Sequence, residues 1–405
     1  MSVGVRLNHQ RAPTESTGSI VTALVLAVNV TLVGGCSSSI QAPAIAYARS
    51  AIGPESARLS GFFEPEAVLR GMTAVADWQL THPSKHRSDE WHVAPFWVGL
   101  VSFAQWSADP EKYLEAARRN GRRNDWKAGP RPFFADDDAI TQSYFMLYMV
   151  DGDPRFIGSA LARFDEMMRQ PFDESLEFSY DKTMRAWVWC DALFMSPPAL
   201  AQAARVTGDR RYADLMSRLW WKTTDHLYDR AEHLYYRDSR FFARRERNGA
   251  KVFWSRGNGW VLAGLARVLQ YVPDDYPGRP RFTALFEELA GRIATLQGPD
   301  GYWRASLLDP DRWPGPETSG TAFFTYALAW GVNEGLLDRD RYEPVVRKGW
   351  SALVRAVEPG GMLGYVQSPD EGPGEAAPGH TEIYGSGAFL LAGSEVYRLA
   401  VRTGR

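Results

Sequence analysis

The stretch Val188–His226, VWCDALFMSPPALAQAARVTGDRRYADLMSRLWWKTTDH, holds the unit from which the rest of the chain is read. Two runs with apolar residues at helical spacing, 188–207 and 209–226, are separated only by the turn signal Gly208-Asp209. The pair predicts a helical hairpin.

Working outward, the same spacing recurs near 64–80, 92–107, 110–124, 137–151, 154–169, 257–271, 280–297, 319–336, 340–357 and 384–401. Turns mark the breaks at Gly152-Asp153-Pro154, Gly278-Arg279-Pro280 and Asp338 to Asp340. Twelve helices pair as six hairpins. The fold expected is all-α, an (α/α)6 toroid of alternating outer and inner helices, with the inner ones aiming side chains into a central depression. An open solenoid is disfavoured because no repeat unit of fixed length recurs and the loops differ widely in length. Two isolated segments, Leu234-Tyr235-Tyr236-Arg237 and 362–366, read as short β-hairpins on one rim. The long loops near 170–187, 227–256 and 298–318 hold much of the Trp, Arg and Tyr, and loops on a rigid scaffold are where function concentrates.

Ahead of this domain, assigned to 61–405, the chain reads as an address. Arg6 and Arg11 precede an apolar run from Ile20 to Val33, followed by Gly34-Gly35-Cys36 and three serines. That is the layout of a bacterial secretory signal, 1–36, ending at a lipobox, with 37–60 as linker. The run is shorter than the roughly twenty residues a membrane span needs. An exported protein is expected, periplasmic or anchored through a lipid on Cys36, with simple cleavage as the alternative. Cys190 is the other cysteine, so the mature chain has no intramolecular disulfide.

Composition narrows the chemistry. The 405 residues are 45% apolar and 23% charged, as in a soluble globular protein, and the formal charge of -2 argues against nucleic acid as a partner. Fifteen Trp, 17 Tyr and 20 Phe exceed what a core of this size requires. Sugar rings stack on such faces, so carbohydrate is the favoured ligand, although most of these aromatics fill the core.

Three stretches place polar groups among apolar ones. In Trp187-Val-Trp189-Cys190-Asp191-Ala-Leu-Phe194, apolar neighbours raise the carboxyl pKa of Asp191 and suit it to general acid catalysis; alternatively it is an acid at a helix N-terminus. Asp136-Asp137-Asp138 reads as helix capping, or as a source of one acid, Asp136 or Asp137, facing a sugar hydroxyl or the catalytic carboxyl, where repulsion keeps one of two carboxyls protonated. In Phe253-Trp254-Ser255-Arg256-Gly257-Asn258-Gly259-Trp260, Arg256 offers a fork for a carboxylate and the two Trp offer stacking faces, or all three are structural. His92, near Trp91 and Trp97, lines the pocket or is a structural histidine. The seven His show no zinc spacing, and no phosphate loop, nucleophile elbow or zinc helix is present; no metal and no cofactor are expected.

Taken together, Trp189-x-Asp191, Ala135-Asp136-Asp137-x-Ala-Ile-x-Gln142, Trp254-Ser-Arg256-Gly-Asn-Gly-Trp260 and Tyr384-Gly-Ser-Gly-Ala-Phe-Leu-Leu-Ala resemble the unsaturated uronyl hydrolases of glycoside hydrolase families 88 and 105, from about residue 62 onward. The resemblance implies an (α/α)6 barrel acting on the 4,5-unsaturated uronic acid that lyases leave at non-reducing ends. It implies that Asp191 protonates C4 of the enol ether and then takes a proton from the water that adds at C5. Asp136 matches the second cavity acid of that family, and Trp189, Arg256 and Trp260 match positions that contact substrate. Many relatives carry a His where this chain has Arg237, which suits an anionic substrate and leaves the aglycone preference open. Other readings are a different (α/α)6 glycan enzyme, for which paired cavity His of the epimerase kind are lacking, or a noncatalytic sugar-binding lipoprotein.

Overall fold

Every residue of Thr318–Asn333 is buried, and none of them is charged. A helix that is apolar or small all round has to lie inside a shell of other helices. The computed structural model, which describes residues 61–403, supplies that shell. The expected signal and linker lie outside the described residues.

Among the described residues twelve helices have eleven or more residues: α1 (Pro65–Thr81), α2 (Ala94–Ala104), α3 (Pro110–Arg123), α4 (Thr141–Asp151), α5 (Gly158–Met168), α6 (Pro197–Thr207), α7 (Arg210–Leu227), α8 (Ser255–Tyr271), α9 (Arg279–Thr295), α10 (Thr318–Asn333), α11 (Arg339–Arg355) and α12 (Ile383–Thr403). The even-numbered helices pack one on the next from α2 to α12, and α12 returns to α2, closing the ring. Odd-numbered helices lie against this ring: α3 on α2, α7 on α6, α9 on α8, α11 on α10 and α1 on α12. The all-α, six-hairpin toroid read from the sequence is the fold observed.

Closure depends on two glycines. A methyl group on Gly99 in α2 would overlap the carbonyl of Gly387 in α12, and one on Gly387 would overlap the backbone at Pro95. Only glycine lets the first and last inner helices approach this closely.

Three helical runs are interrupted where the sequence reading had them continuous. The run at 137–151 divides into a turn, Ala135–Asp138, and α4. The run at 188–207 is non-helical through Asp191, turns over Ala192–Met195 and restarts as α6 at Pro197. Proline lacks the N–H that would continue the preceding turn but fits the first position of a new helix. The run at 154–169 opens with a 3-10 turn, Pro154–Phe156. On the rim, β1 (Tyr228–Asp229) pairs antiparallel with β2 (Leu234–Tyr235), while the second expected hairpin is reduced to a single bridge, Val357 to Leu363. Asn258 of α8 secures the first hairpin: its Oδ1 accepts from Tyr235 N–H at 2.8 Å, and its Nδ2 donates to the carbonyls of Tyr235 and Trp254, each at 3.0 Å. Among the described residues no helix is long and apolar enough to cross a membrane.

Candidate active site

The segments leading into five inner helices meet at one end of the toroid. Trp91 precedes α2, Asp136 precedes α4, Trp189 and Asp191 precede α6, Trp254 precedes α8, and Pro369 to Glu371 lie on the loop before α12. Together they wall a pocket of about 370 Å³, to which the loop before α6 adds Phe178, Tyr180 and Met184. Helix N-termini present unpaired N–H groups and a partial positive charge, so this end of the ring favours an anion.

Two carboxyls share the pocket. Asp136 is 9% exposed and Asp191 8% exposed, and Oδ1 of Asp136 has no hydrogen-bond partner. Burial, and then the neighbouring charge of Asp191, push Asp136 up to about 8. Burial also raises Asp191, but the guanidinium groups of Arg237 and Arg256 pull it back. Burial and the charge of Asp191 therefore favour the protonated form of Asp136, while Arg237 and Arg256 favour the charged form of Asp191. The upward shift of Asp191 agrees in direction with the sequence reading, and Arg237, which reaches the site from the loop after β2, opposes it. Its Nε stands 3.7 Å from Oδ2 of Asp191, its NH1 is 2.7 Å from Asp238, and its NH2 is 3.8 Å from Glu371. The buried thiol of Cys190 sits 3.5 Å from Oδ2 of Asp191.

The walls are aromatic. Phe134 and Trp189 stack with centroids 5.4 Å apart, and Trp254 is fixed by its indole N–H, which donates to Gln367 at 2.9 Å. These are faces on which a sugar ring can lie.

The structure thus brings Asp136, Asp191, Trp189, Trp254 and Arg237 together on one pocket wall. It sets the other candidates behind or beside it. Arg256 is buried under Trp254, 4.3 Å from its ring, and donates to the carbonyls of Gln367 at 2.7 Å and Ser368 at 3.0 Å. Those bonds hold the loop that carries Asp370 and Glu371. Asp137 turns away to Arg131, which binds it through two guanidinium nitrogens, at 3.0 and 2.6 Å, and its backbone N–H. Trp260 is core, packed 4.2 Å from Phe323 and 4.8 Å from Phe194 between ring centroids. Trp97 packs on Phe96.

His92 lies between Trp91 and His86, stacked on both, and burial and then the neighbouring His86 lower its pKa to about 3, so it is neutral. Together with Glu90 these two His come near enough to share an ion, a grouping hidden in the sequence spacing. The imidazole planes are parallel within 5° and the centroids 3.6 Å apart, so their in-plane lone pairs do not converge on one point.

Sequence reasoning missed Phe178, Tyr180, Met184, Asp370 and Glu371 as wall residues. The aromatic content of the 170–187 loop was the available signal for the first two. Nothing in the sequence indicated that the loop after Val366 returns to the pocket.

A ring of helix hairpins whose inner ends meet around paired carboxyls and stacking aromatics is the build of a carbohydrate-processing enzyme. The sequence pattern of Glycosyl Hydrolase Family 88 matches residues 69–400, and the chain belongs to that family. It is 39% identical over 341 residues to an "Unsaturated 3S-rhamnoglycuronyl hydrolase" of Formosa agariphila, covering 81% of this chain and 90% of the relative. A solved structure described as a glycosyl hydrolase family 88 protein from Bacteroides vulgatus is 31% identical with a TM-score of 0.75, covering 83% of this chain and 99% of that one. Another, described as a polysaccharide lyase, is 34% identical with a TM-score of 0.75, covering 83% and 98%.

Proposed function

We propose that this glycoside hydrolase removes a 4,5-unsaturated uronic acid from the non-reducing end of lyase-generated oligosaccharides. The carrying observation is the pair Asp136 and Asp191 in one pocket, with Arg237 set 3.7 Å from Asp191. The relative of Formosa agariphila supports a glycuronyl residue attached to rhamnose.

The pair supplies the steps in order. A substrate carboxylate placed against Arg237 takes up its positive charge and adds a negative one, and both changes favour a protonated Asp191. Asp191 then donates its proton to C4 of the double bond, leaving oxocarbenium character at C5. Water adds at C5 while Asp191 takes back a proton, and the resulting hemiketal opens and releases the aglycone. Asp136, neutral through burial, keeps the pair from carrying two negative charges and donates to a sugar hydroxyl. Hydrolysis by this route needs one acid acting twice, unlike the two carboxylates that flank an ordinary glycosidic bond.

Ultraviolet absorbance of the conjugated enol ether tests the reading directly. Wild-type protein mixed with lyase digests of uronate polymers is expected to abolish the band, and the Asp191→Asn variant is expected to leave it. The lyase description of one relative is a second reading with the opposite sign, since a lyase acting on intact polymer creates this band. A rise on intact polymer with no fall on digests overturns the hydrolase.

We further propose export and lipid attachment at Cys36, supported by the basic, apolar and Gly-Gly-Cys order of 1–36. Metabolic labelling with a fatty acid, lost in Cys36→Ser, is the expected result; unchanged labelling refutes it.

A further inference from the structure

Trp91 walls the pocket from a segment with no regular structure of its own. Residues 82–93, between α1 and α2, form neither helix nor strand, so the regular hydrogen bonding that steadies a helical residue is missing there. Its position is set by contacts with other parts of the chain. One anchor is Ser88, whose carbonyl accepts from Nδ2 of Asn120 at 3.1 Å and of Asn124 at 2.9 Å. The other is a column of rings. Trp91 stacks on His92 with centroids 3.8 Å apart and planes 24° apart, and His92 stacks on His86 at 3.6 Å and 5°.

His86 ends the column. Its Nε2 lies 3.2 Å from Oε2 of Glu382, just before α12, and its Nδ1 lies 3.6 Å from Oε2 of Glu90. Glu382 also meets Lys85 at 3.4 Å, while Glu90 meets Arg87 at 3.4 Å and Nδ1 of His92 at 3.5 Å. The side chains of His86 and Glu382 are only 14% and 11% exposed, which sets their contact apart from a loose pair screened by solvent. Ring nitrogens act in the plane of an imidazole and stacking acts across it, so the two carboxylates grip the edge of His86 and leave a face for His92. Phenylalanine offers the face without the nitrogens, and lysine the charge without the face. Because His92 is neutral, at most one of the two stacked imidazoles is charged. Trp91 is thus tied to the start of α12 by two routes, directly through Tyr384 at 5.6 Å between ring centroids and through His86 to Glu382.

We propose that His86 is a positioning residue for the pocket: gripped by Glu90 and Glu382, it backs His92 and thereby sets the plane of the Trp91 indole against the bound sugar. His86 is not part of the pocket wall and acts through Trp91. The assignment rests on the function proposed above, which gives the pocket to the unsaturated uronyl residue.

The test is a mutant cycle between His86 and Trp91, with an unsaturated glucuronyl-rhamnose disaccharide as probe. His86→Leu is expected to raise KM about two- to tenfold, the range that one stacked ring pair supplies, with kcat within about twofold of wild type. His86→Phe, which keeps the face, is expected to recover part of that loss. In a Trp91→Ala background, His86→Leu is expected to raise KM no further, because the group it acts through is gone. Glu382→Gln loosens one grip on the ring, and its smaller rise in KM should vanish in the same background; it reads the same coupling if His86→Leu does not fold. An unchanged KM in His86→Leu, or increases that multiply in the double variant, overturns the assignment. If absorbance shows no turnover, calorimetry reads the same factors as Kd. Coupled factors in Kd without turnover refute the hydrolase and uphold His86, and turnover with factors that multiply does the reverse. A wild type that neither turns over nor binds the disaccharide overturns both.

Discussion

Arg237 Nε lies 3.7 Å from Asp191 Oδ2, while the same guanidinium is held at 2.7 Å by Asp238. Asp238 is fully buried and also binds Arg240, so Arg237 is fixed in place by a carboxylate outside the reaction. This cation offsets the burial that raises Asp191. Its removal in Arg237→Ala is expected to let Asp191 hold its proton to higher pH and to weaken substrate binding. The alkaline limb of the kcat/KM profile should move upward in pH while KM rises, with kcat/KM down about tenfold or more. Arg237→Lys should restore part of both. An unmoved limb in Arg237→Ala would show that the cation does not act on Asp191.

Asp191→Asn removes the carboxyl proposed to give a proton to C4 and take one back from water. Positioned acid–base groups contribute on the order of 10²- to 10⁴-fold, so kcat is expected to fall by about that range with little change in KM. Steady-state rates from the loss of enol ether absorbance provide the comparison, and near-wild-type turnover would reassign the proton donor to Asp136.

Asp136 makes stability depend on pH. Its folded pKa of about 8 stands above the model-peptide value of 3.8, so the folded state binds the proton more tightly than the unfolded state. The stabilisation is complete below about pH 4 and is lost as pH rises toward 8. Asp136→Asn carries no ionisable proton at this site, so it is expected to flatten the decline in melting temperature across that window and to melt above wild type at pH 8. Equal slopes for the two proteins in thermal melts at pH 5 and pH 8 would rule this out.

Closure of the ring at Gly99 and Gly387 sets a different expectation. Gly387→Val forces backbone apart where α2 and α12 meet, and overpacking of this kind costs about 1–3 kcal/mol or more. Gly152, at φ 73° after α4 with open space around it, provides the contrast: Gly152→Ala strains only its own backbone, at about 1 kcal/mol. Denaturant melts should rank the two in that order. The reverse order would place the stress at the turn instead of the ring closure.

The twelve helices were legible because apolar spacing and Gly, Pro and Asp breaks are local properties, set by which face of each helix must leave water. The interruption at Pro197 was readable in principle, since proline cannot continue a hydrogen-bonded turn, but the apolar run across it concealed the break. The acids at 136–138 were visible as a cluster, and their division of labour was not. Consecutive residues in a helical turn point in different directions, so at most one can face the cavity. Arg131 takes Asp137, while Ser196 and Arg163 take Asp138, leaving Asp136 to the pocket.

The same limit decided between the arginines. The sequence by itself determined that the chain is a ring of helix hairpins, that Asp136 and Asp191 are acids set among apolar residues, and that it resembles uronyl hydrolases. Only the tertiary structure decided that Arg256 is turned to the carbonyls of Gln367 and Ser368, that Arg237 faces Asp191, and that a loop more than a hundred residues further on supplies Glu371. A helix or a turn follows from neighbours in the chain. A charge acts through distance in space, and those distances exist only once the ring has closed.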